Sequence, residues 1–155
     1  MSDKPPVKLA ALDEDDLAVI SAHLQDAVLR VGDIRWLKNE GKLALVANRF
    51  DHTAHDTNER RHCGLQVSRV RHASARNIDM GDKTAVLSLL AITYSAADNP
   101  PEGAIELNFA GGGTMRLEVE CIEAAIADLS KPWTARIRPD HEAEDNGSDF
   151  KDAEA

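Results

Sequence analysis

The chain has 155 residues, 43% of them hydrophobic and 29% charged, with a formal net charge of −9; this suits one domain around one core and leaves no room for two comfortable ones. The acidity is uneven, since residues 140–155 hold seven acidic side chains and one lysine, so the rest of the chain is only mildly acidic and exerts no general pull on nucleic acid or an anionic membrane. No apolar run approaches the roughly 20 residues of a membrane helix, and the N-terminus lacks the basic stretch and apolar core of a secretory signal; a cytoplasmic protein with Cys63 and Cys121 reduced is expected.

Residues 1–6 read as a flexible lead. Val7 to Leu12 has the character of an edge strand. Asp13 then suits an N-cap, and Glu14, Asp15 and Asp16 give the negative first turn that a helix dipole favours. Leu17, Ile20, Leu24, Ala27 and Val28 recur at helical spacing, which predicts a first helix over residues 14–29. Gly32 closes that region. Ile34 to Leu37 and Leu43 to Phe50 are strand-like runs joined through Asn39-Glu40-Gly41, a hairpin with glycine at the end of its turn. Asp51 to His62 has no period and reads as a surface loop.

Gly64 to Ala73 reads as a strand with a fault: Leu65 and Val67 share a face and Val70 falls on the other, so a bulge near Ser68 and Arg69 is needed to return Val70 to the core. Ala85 to Tyr94 is apolar on both faces, as a central strand covered on both sides would be; a short buried helix is the alternative, which periodicity alone does not exclude. Ser95 to Gly103 is a loop. In Ile105 to Phe109 and again in Met115 to Cys121 the hydrophobes fall on odd positions, which predicts two half-buried strands turned by Gly111-Gly112-Gly113. The expected register sets Phe109 against Met115, Leu107 against Leu117 and Ile105 against Val119. Asn108 then faces Arg116, and Glu106 faces Glu118 with Arg116 within reach of both.

After Cys121, expected to be a small buried hydrophobe, Ile122, Ala125, Ile126 and Leu129 follow helical spacing. This predicts a second helix stopped by Pro132, with Glu120 and Glu123 at its start. Trp133 and Ile137 are expected to form an extended strap, and residues 140–155 an acidic disordered tail. The fold class expected is α+β: a mostly antiparallel sheet or pleckstrin-homology-like (PH-like) barrel of six to seven strands, with an N-terminal and a C-terminal helix. One globular domain would span residues 7–139.

Three groupings bear on chemistry. Asp51, His52, His55, Asp56, His62 and Cys63 are side chains that bind transition metals, and His52, His55, His62 and Cys63 are the candidate ligands. Their spacing matches no strong zinc pattern, so a solvated loop outweighs a metal site. Arg69 and Arg71, two apart on the expected strand, would share a face and could present paired guanidiniums to a phosphate or carboxylate. With Arg116 they are the candidate ligand-binding residues; the plainer reading is a sheet face paired with acidic neighbours. The triple glycine precedes a strand rather than a helix N-terminus, so a turn explains it better than a phosphate cradle.

No Gly-x-Ser-x-Gly, H-E-x-x-H or P-loop pattern occurs, and capping accounts for Asp13 to Asp16 more simply than an acidic metal site. Catalytic residues and cofactors are therefore not expected. Three Phe, two Trp and one Tyr leave little surface for stacking bases, so nucleic acid is not an expected partner.

Leu12 to Ala27, Val86 to Ile92 and Ile105 to Leu129, with the Phe109-Ala110-Gly111-Gly112-Gly113 turn, resemble an uncharacterised family of small bacterial proteins, a domain of unknown function of the DUF2948 type. The resemblance covers about residues 7 to 141 and implies a single intact domain, but no substrate or active-site residue. The function expected from the residues is a non-enzymatic module that binds a protein partner or its own copy. The alternative is a small ligand-binding or metal-binding protein or enzyme using the His52 to Cys63 loop or the Arg69 and Arg71 face, with RNA binding through the arginine strand a weaker third.

Overall fold

A computed structural model describes residues 6–50 and 60–129. Along the chain run β1 (Lys8–Ala11), α1 (Glu14–Leu24), β2 (Val28–Arg30), β3 (Ile34–Leu37), β4 (Lys42–Phe50), β5 (Arg60–Val67), β6 (Val70–Arg76), β7 (Val86–Ala96), β8 (Gly103–Phe109), β9 (Thr114–Val119) and β10 (Ala124–Asp128). The strands form one antiparallel sheet in the order β1-β10-β5-β4-β2-β7-β8-β9-β6, with β3 added on β4. Among the described residues β1 and β6 are its two ends. No helix among the described residues is long and apolar enough to cross a membrane.

This overturns the α+β expectation of six to seven strands, a PH-like barrel and two helices: among the described residues there are ten strands and one α-helix. Three local differences make the change. The first helix ends at Leu24 because Asp26 adopts a left-handed φ of 68°, and Val28 to Arg30 then joins the sheet between β4 and β7. The expected faulted strand is two strands, β5 and β6, broken at Ser68 and Arg69 where Arg69 has φ 61°; the break does return Val70 to the interior. The expected C-terminal helix is β10, paired on both sides by β1 and β5.

The helical spacing after Cys121 was misleading for a physical reason. Four hydrophobes at positions 122, 125, 126 and 129 fit a helix, but Ala124, Ile126 and Asp128 also alternate, and these are the residues turned inward in β10. Glu120 and Glu123, expected to complement a helix dipole, instead both reach Arg69, at 3.7 and 3.2 Å.

Other expectations held. Asp13 caps α1 by accepting a hydrogen bond from the Asp16 amide at 2.8 Å, and Leu17, Ile20 and Leu24 are buried on one stripe. The β3–β4 hairpin turns through Lys38–Glu40 and a left-handed Gly41. In the β8–β9 hairpin, Ile105, Leu107, Phe109, Met115, Leu117 and Val119 all lie in the core. Its register differs by two from the expected one: Leu107 faces Met115, Ile105 faces Leu117 and Glu106 faces Arg116. The loop is Ala110-Gly111-Gly112, closed by the Phe109 amide donating to the Gly113 carbonyl at 2.8 Å. Glu106 thus meets Arg116 directly, at 3.0 Å, and the two glutamates are not opposed.

Two further corrections concern β7 and Cys121. β7 is central in the sheet order but not covered on both faces, since Val86 and Leu90 are 62% and 47% exposed. α1 lies beside it, with the Ile92 amide donating to Ser21 Oγ at 2.9 Å and the Asp26 amide to the Leu89 carbonyl at 2.8 Å. Cys121 is half-buried rather than buried. The expected strap at Trp133 and Ile137 and the acidic tail lie outside the described residues.

Candidate functional site

Alternation along three neighbouring strands builds the one buried polar cluster of the described residues. The inward row of β4 runs Leu43, Leu45, Ala47, Arg49; that of β5 runs Val67, Leu65, Cys63, Arg61; that of β10 runs Ala124, Ile126, Asp128. Each row begins with hydrophobes and ends polar at the same end of the sheet. Register sets Cys63 against both Ala47 and Asp128, and Arg49 against Arg61. Two arginines and one carboxylate therefore converge under the start of β1.

Arg49 grips Asp128 with two nitrogens: Nε to Oδ1 and Nη2 to Oδ2, each at 2.9 Å. The pair is shut off from water, with side chains 4% and 1% exposed. The Val7 amide also donates to Oδ2 at 2.8 Å, and Arg61 Nη1 lies 3.8 Å from the same oxygen. Burial pushes the Asp128 carboxyl up, but the hydrogen bonds from Arg49 and Val7 and the charges of both arginines outweigh it and hold the group below the usual carboxylate range. The Cys63 thiol, fully buried beside this carboxylate, is pushed by burial and then by the Asp128 charge from 9.0 to about 12. The thiol stays protonated at neutral pH, and both carboxylate oxygens are already in use. The arrangement ties the start of β1 to β4, β5 and β10, and holds neither a thiolate nucleophile nor a carboxylate free to move a proton.

The residues picked out from sequence do not assemble into one site. Arg69 lies in the corner between β5 and β6, so it does not share a strand face with Arg71. Glu123 accepts its hydrogen bond, and together with Glu120 raises the guanidinium further above its ordinary value. Arg71 pairs with Glu102 at 3.2 Å and Arg116 with Glu106 at 3.0 Å. All three are exposed ion pairs. His62 and Cys63 belong to β5 rather than to a loop; as consecutive strand residues they point to opposite faces. His52 and His55 lie outside the described residues. Among the described residues no group of three or more His, Cys, Asp or Glu could hold a metal ion.

Arg49 and Asp128 were not picked out. The available signal was an arginine and an aspartate each ending an inward-facing row of hydrophobes, visible for Arg49 in β4 and hidden for Asp128 by the helical reading of its segment.

A second feature lies at the margin of the sheet, where β1 has β10 as its one strand neighbour among the described residues. The Asp128 amide donates to the Val7 carbonyl at 2.9 Å, and backbone groups alternate sides along an antiparallel strand. Val7, Leu9 and Ala11 therefore face β10, while the amides and carbonyls of Lys8 and Ala10 point away from the sheet. Lys8 and Ala10 are exposed and Leu9 half-exposed. Leu12, the residue after Ala11, is 73% exposed, and Val19, on α1, is 47% exposed. Ala18 and Ala22 are exposed on the same helix.

No curated protein matches the chain, and no solved structure does. Residues 7–141 match the family described as a protein of unknown function (DUF2948), and the chain belongs to that family.

Proposed function

We propose that this protein is a cytoplasmic, non-enzymatic interaction module that binds another polypeptide, a partner protein or a second copy, at the margin formed by β1 and α1. The observation that carries this reading is the outer side of β1, which no described strand pairs, with the exposed Leu12 directly after it. Unpaired strand edges and grouped exposed hydrophobes are what protein partners use, through main-chain pairing and apolar burial. The inert state of the buried Arg49, Asp128 and Cys63 cluster supports a binding role over a catalytic one.

The test compares the full chain with the Leu12→Glu/Val19→Glu double variant, both positions being exposed and so compatible with folding. Solution mass is measured by sedimentation over a range of concentrations, and proteins retained by each form are compared under matched conditions. The reading requires self-association or a retained protein that the double variant loses while its thermal midpoint stays unchanged. A protein monomeric throughout, with identical retained proteins for both forms, would remove it.

A further inference from the structure

The outer side of β1 is self-complementary, and we infer that its occupant is the β1 strand of a second copy, paired antiparallel about a two-fold axis at Leu9. This rests on the interaction reading above and narrows it to one partner.

The register follows from which groups are open. Lys8 and Ala10 carry the outward amides and carbonyls, so an antiparallel neighbour must exchange hydrogen bonds with these two residues. A two-fold axis at Leu9 sets Lys8 of one copy against Ala10 of the other, twice, and keeps the whole stretch from Val7 to Ala11 paired. Centring on Lys8 would oppose two lysines. Centring on Ala10 would run the pairing past the strand into Leu12 and the Asp13 cap of α1. Among these registers only the Leu9 centre uses every open group and opposes no like charges.

The same arrangement accounts for the neighbouring hydrophobes. Leu9 shares the inward face with Val7 and Ala11; Val7 and Leu9 are partly buried against the core, and Ala11 lies wholly within it. With the axis perpendicular to the sheet, both copies keep that face on one side, so Leu9 meets Leu9 of the second copy there. α1, which contributes Leu17, Ile20 and Leu24 to the same core cluster as Ala11, lies on that side too. The exposed Leu12 of both copies, one residue past Ala11, then borders the new contact, where burial removes apolar surface from water. The β6 edge at the other end of the sheet suits this poorly: it carries exposed Arg71, His72 and Arg76, and pairing two copies there would set cations beside cations.

The expected product is a dimer with one sheet continuous across both chains. Leu9 on the axis is a non-hydrogen-bonded pair, the closer of the two cross-strand spacings, at about 4.5 Å between Cα atoms. Leu9→Cys, made in a Cys121→Ser background, should therefore form a disulfide between copies when oxidised with copper–phenanthroline, at least tenfold faster than Leu12→Cys in the same background. Each disulfide joins two Sγ atoms and releases two protons and two electrons to the oxidant. Ala10→Pro removes an outward amide and leaves the β10 ladder intact, an allowed place for proline in an edge strand. It should abolish the dimer in sedimentation while the thermal midpoint of the monomer persists. Should that variant fail to fold, exchange of the Lys8 and Ala10 amides in the unaltered chain must slow as protein concentration rises.

Three results would overturn the inference. One is a monomer at every concentration whose β1 margin nevertheless retains a different protein, which would leave the interaction reading standing. Another is a dimer indifferent to Ala10→Pro. The last is no crosslinking preference for Leu9→Cys, with concentration-independent amide exchange.

Discussion

Arg49 and Asp128, 79 positions apart in sequence, form a two-pronged ion pair at 2.9 Å that is closed to water. A buried pair of this kind adds little over a well-packed apolar pair, but removing one member strands the other's charge in the interior. Asp128→Ala should accordingly cost about 3 to 5 kcal/mol of unfolding free energy. Arg49→Met combined with Asp128→Leu should recover most of that loss. Urea unfolding of the three proteins checks this, and a double variant as unstable as the single one would show that the charge is not the cause.

The same pair sets an acid limit. The folded Asp128 carboxyl is held below the usual range, whereas in the unfolded chain it titrates near about 3.9. Between those values the unfolded chain binds the extra proton, so the contribution is fully present above about pH 4 to 5 and is lost as pH falls through the folded value. Urea midpoints measured from pH 6 downward should fall, and Asp128→Asn, already destabilised, should fall less steeply. Parallel slopes would assign the acid limit to other carboxylates.

Cys63 sets the opposite limit. Its folded pKa of about 12 stands above the ordinary 9.0, so the folded state keeps a proton that the unfolded chain releases. The stability this confers is complete below pH 9 and is lost as pH rises toward 12. Cys63→Ala should flatten the decline of stability in that window. At pH 8 iodoacetamide should modify Cys121, which is half-buried, and reach Cys63 only under unfolding conditions. Equal labelling of both in the native protein would contradict the closed setting of Cys63.

The parts of the fold that were legible are those whose inward residues are large hydrophobes. Ile105, Leu107, Phe109, Met115, Leu117 and Val119 announce both strands and the buried face of the hairpin, and Leu17, Ile20 and Leu24 announce α1. The register was not legible, because three successive glycines leave open which of them the turn takes; the Phe109 to Gly113 closure decides it. β10 was illegible for a different reason. Its inward positions are an alanine, an isoleucine and an aspartate, and the partner that makes an aspartate tolerable inside lies on β4. Long-range pairing, not local propensity, fixes that segment. Val7 to Leu12 was readable as an edge strand, but which of its backbone groups stay open depends on the Asp128 amide, again a distant residue.

Glycine positions provide a test of packing independent of charge. Gly103, opposite Ala96 on β7 and Val119 on β9, has a backbone that any residue can adopt, but a Cβ there would sit 2.5 Å from the Ser95 carbonyl oxygen and 2.6 Å from the Tyr94 ring. Tyr94 is held over it by its hydroxyl donating to the Pro101 carbonyl at 3.1 Å. Relief requires the β7 backbone to move, and overpacking of that kind costs about 1 to 3 kcal/mol and occasionally more. Gly111 presents the reverse case: its Cβ would meet nothing within 4 Å, but its φ is +88°, where an L residue is strained by about 1 to 2 kcal/mol. Gly103→Ala should therefore lower the urea midpoint more than Gly111→Ala, and Tyr94→Ala should lessen the cost at position 103 while leaving that at position 111 unchanged. Equal losses, or no coupling to Tyr94, would mean that the close approach between β7 and β8 is not what keeps position 103 a glycine.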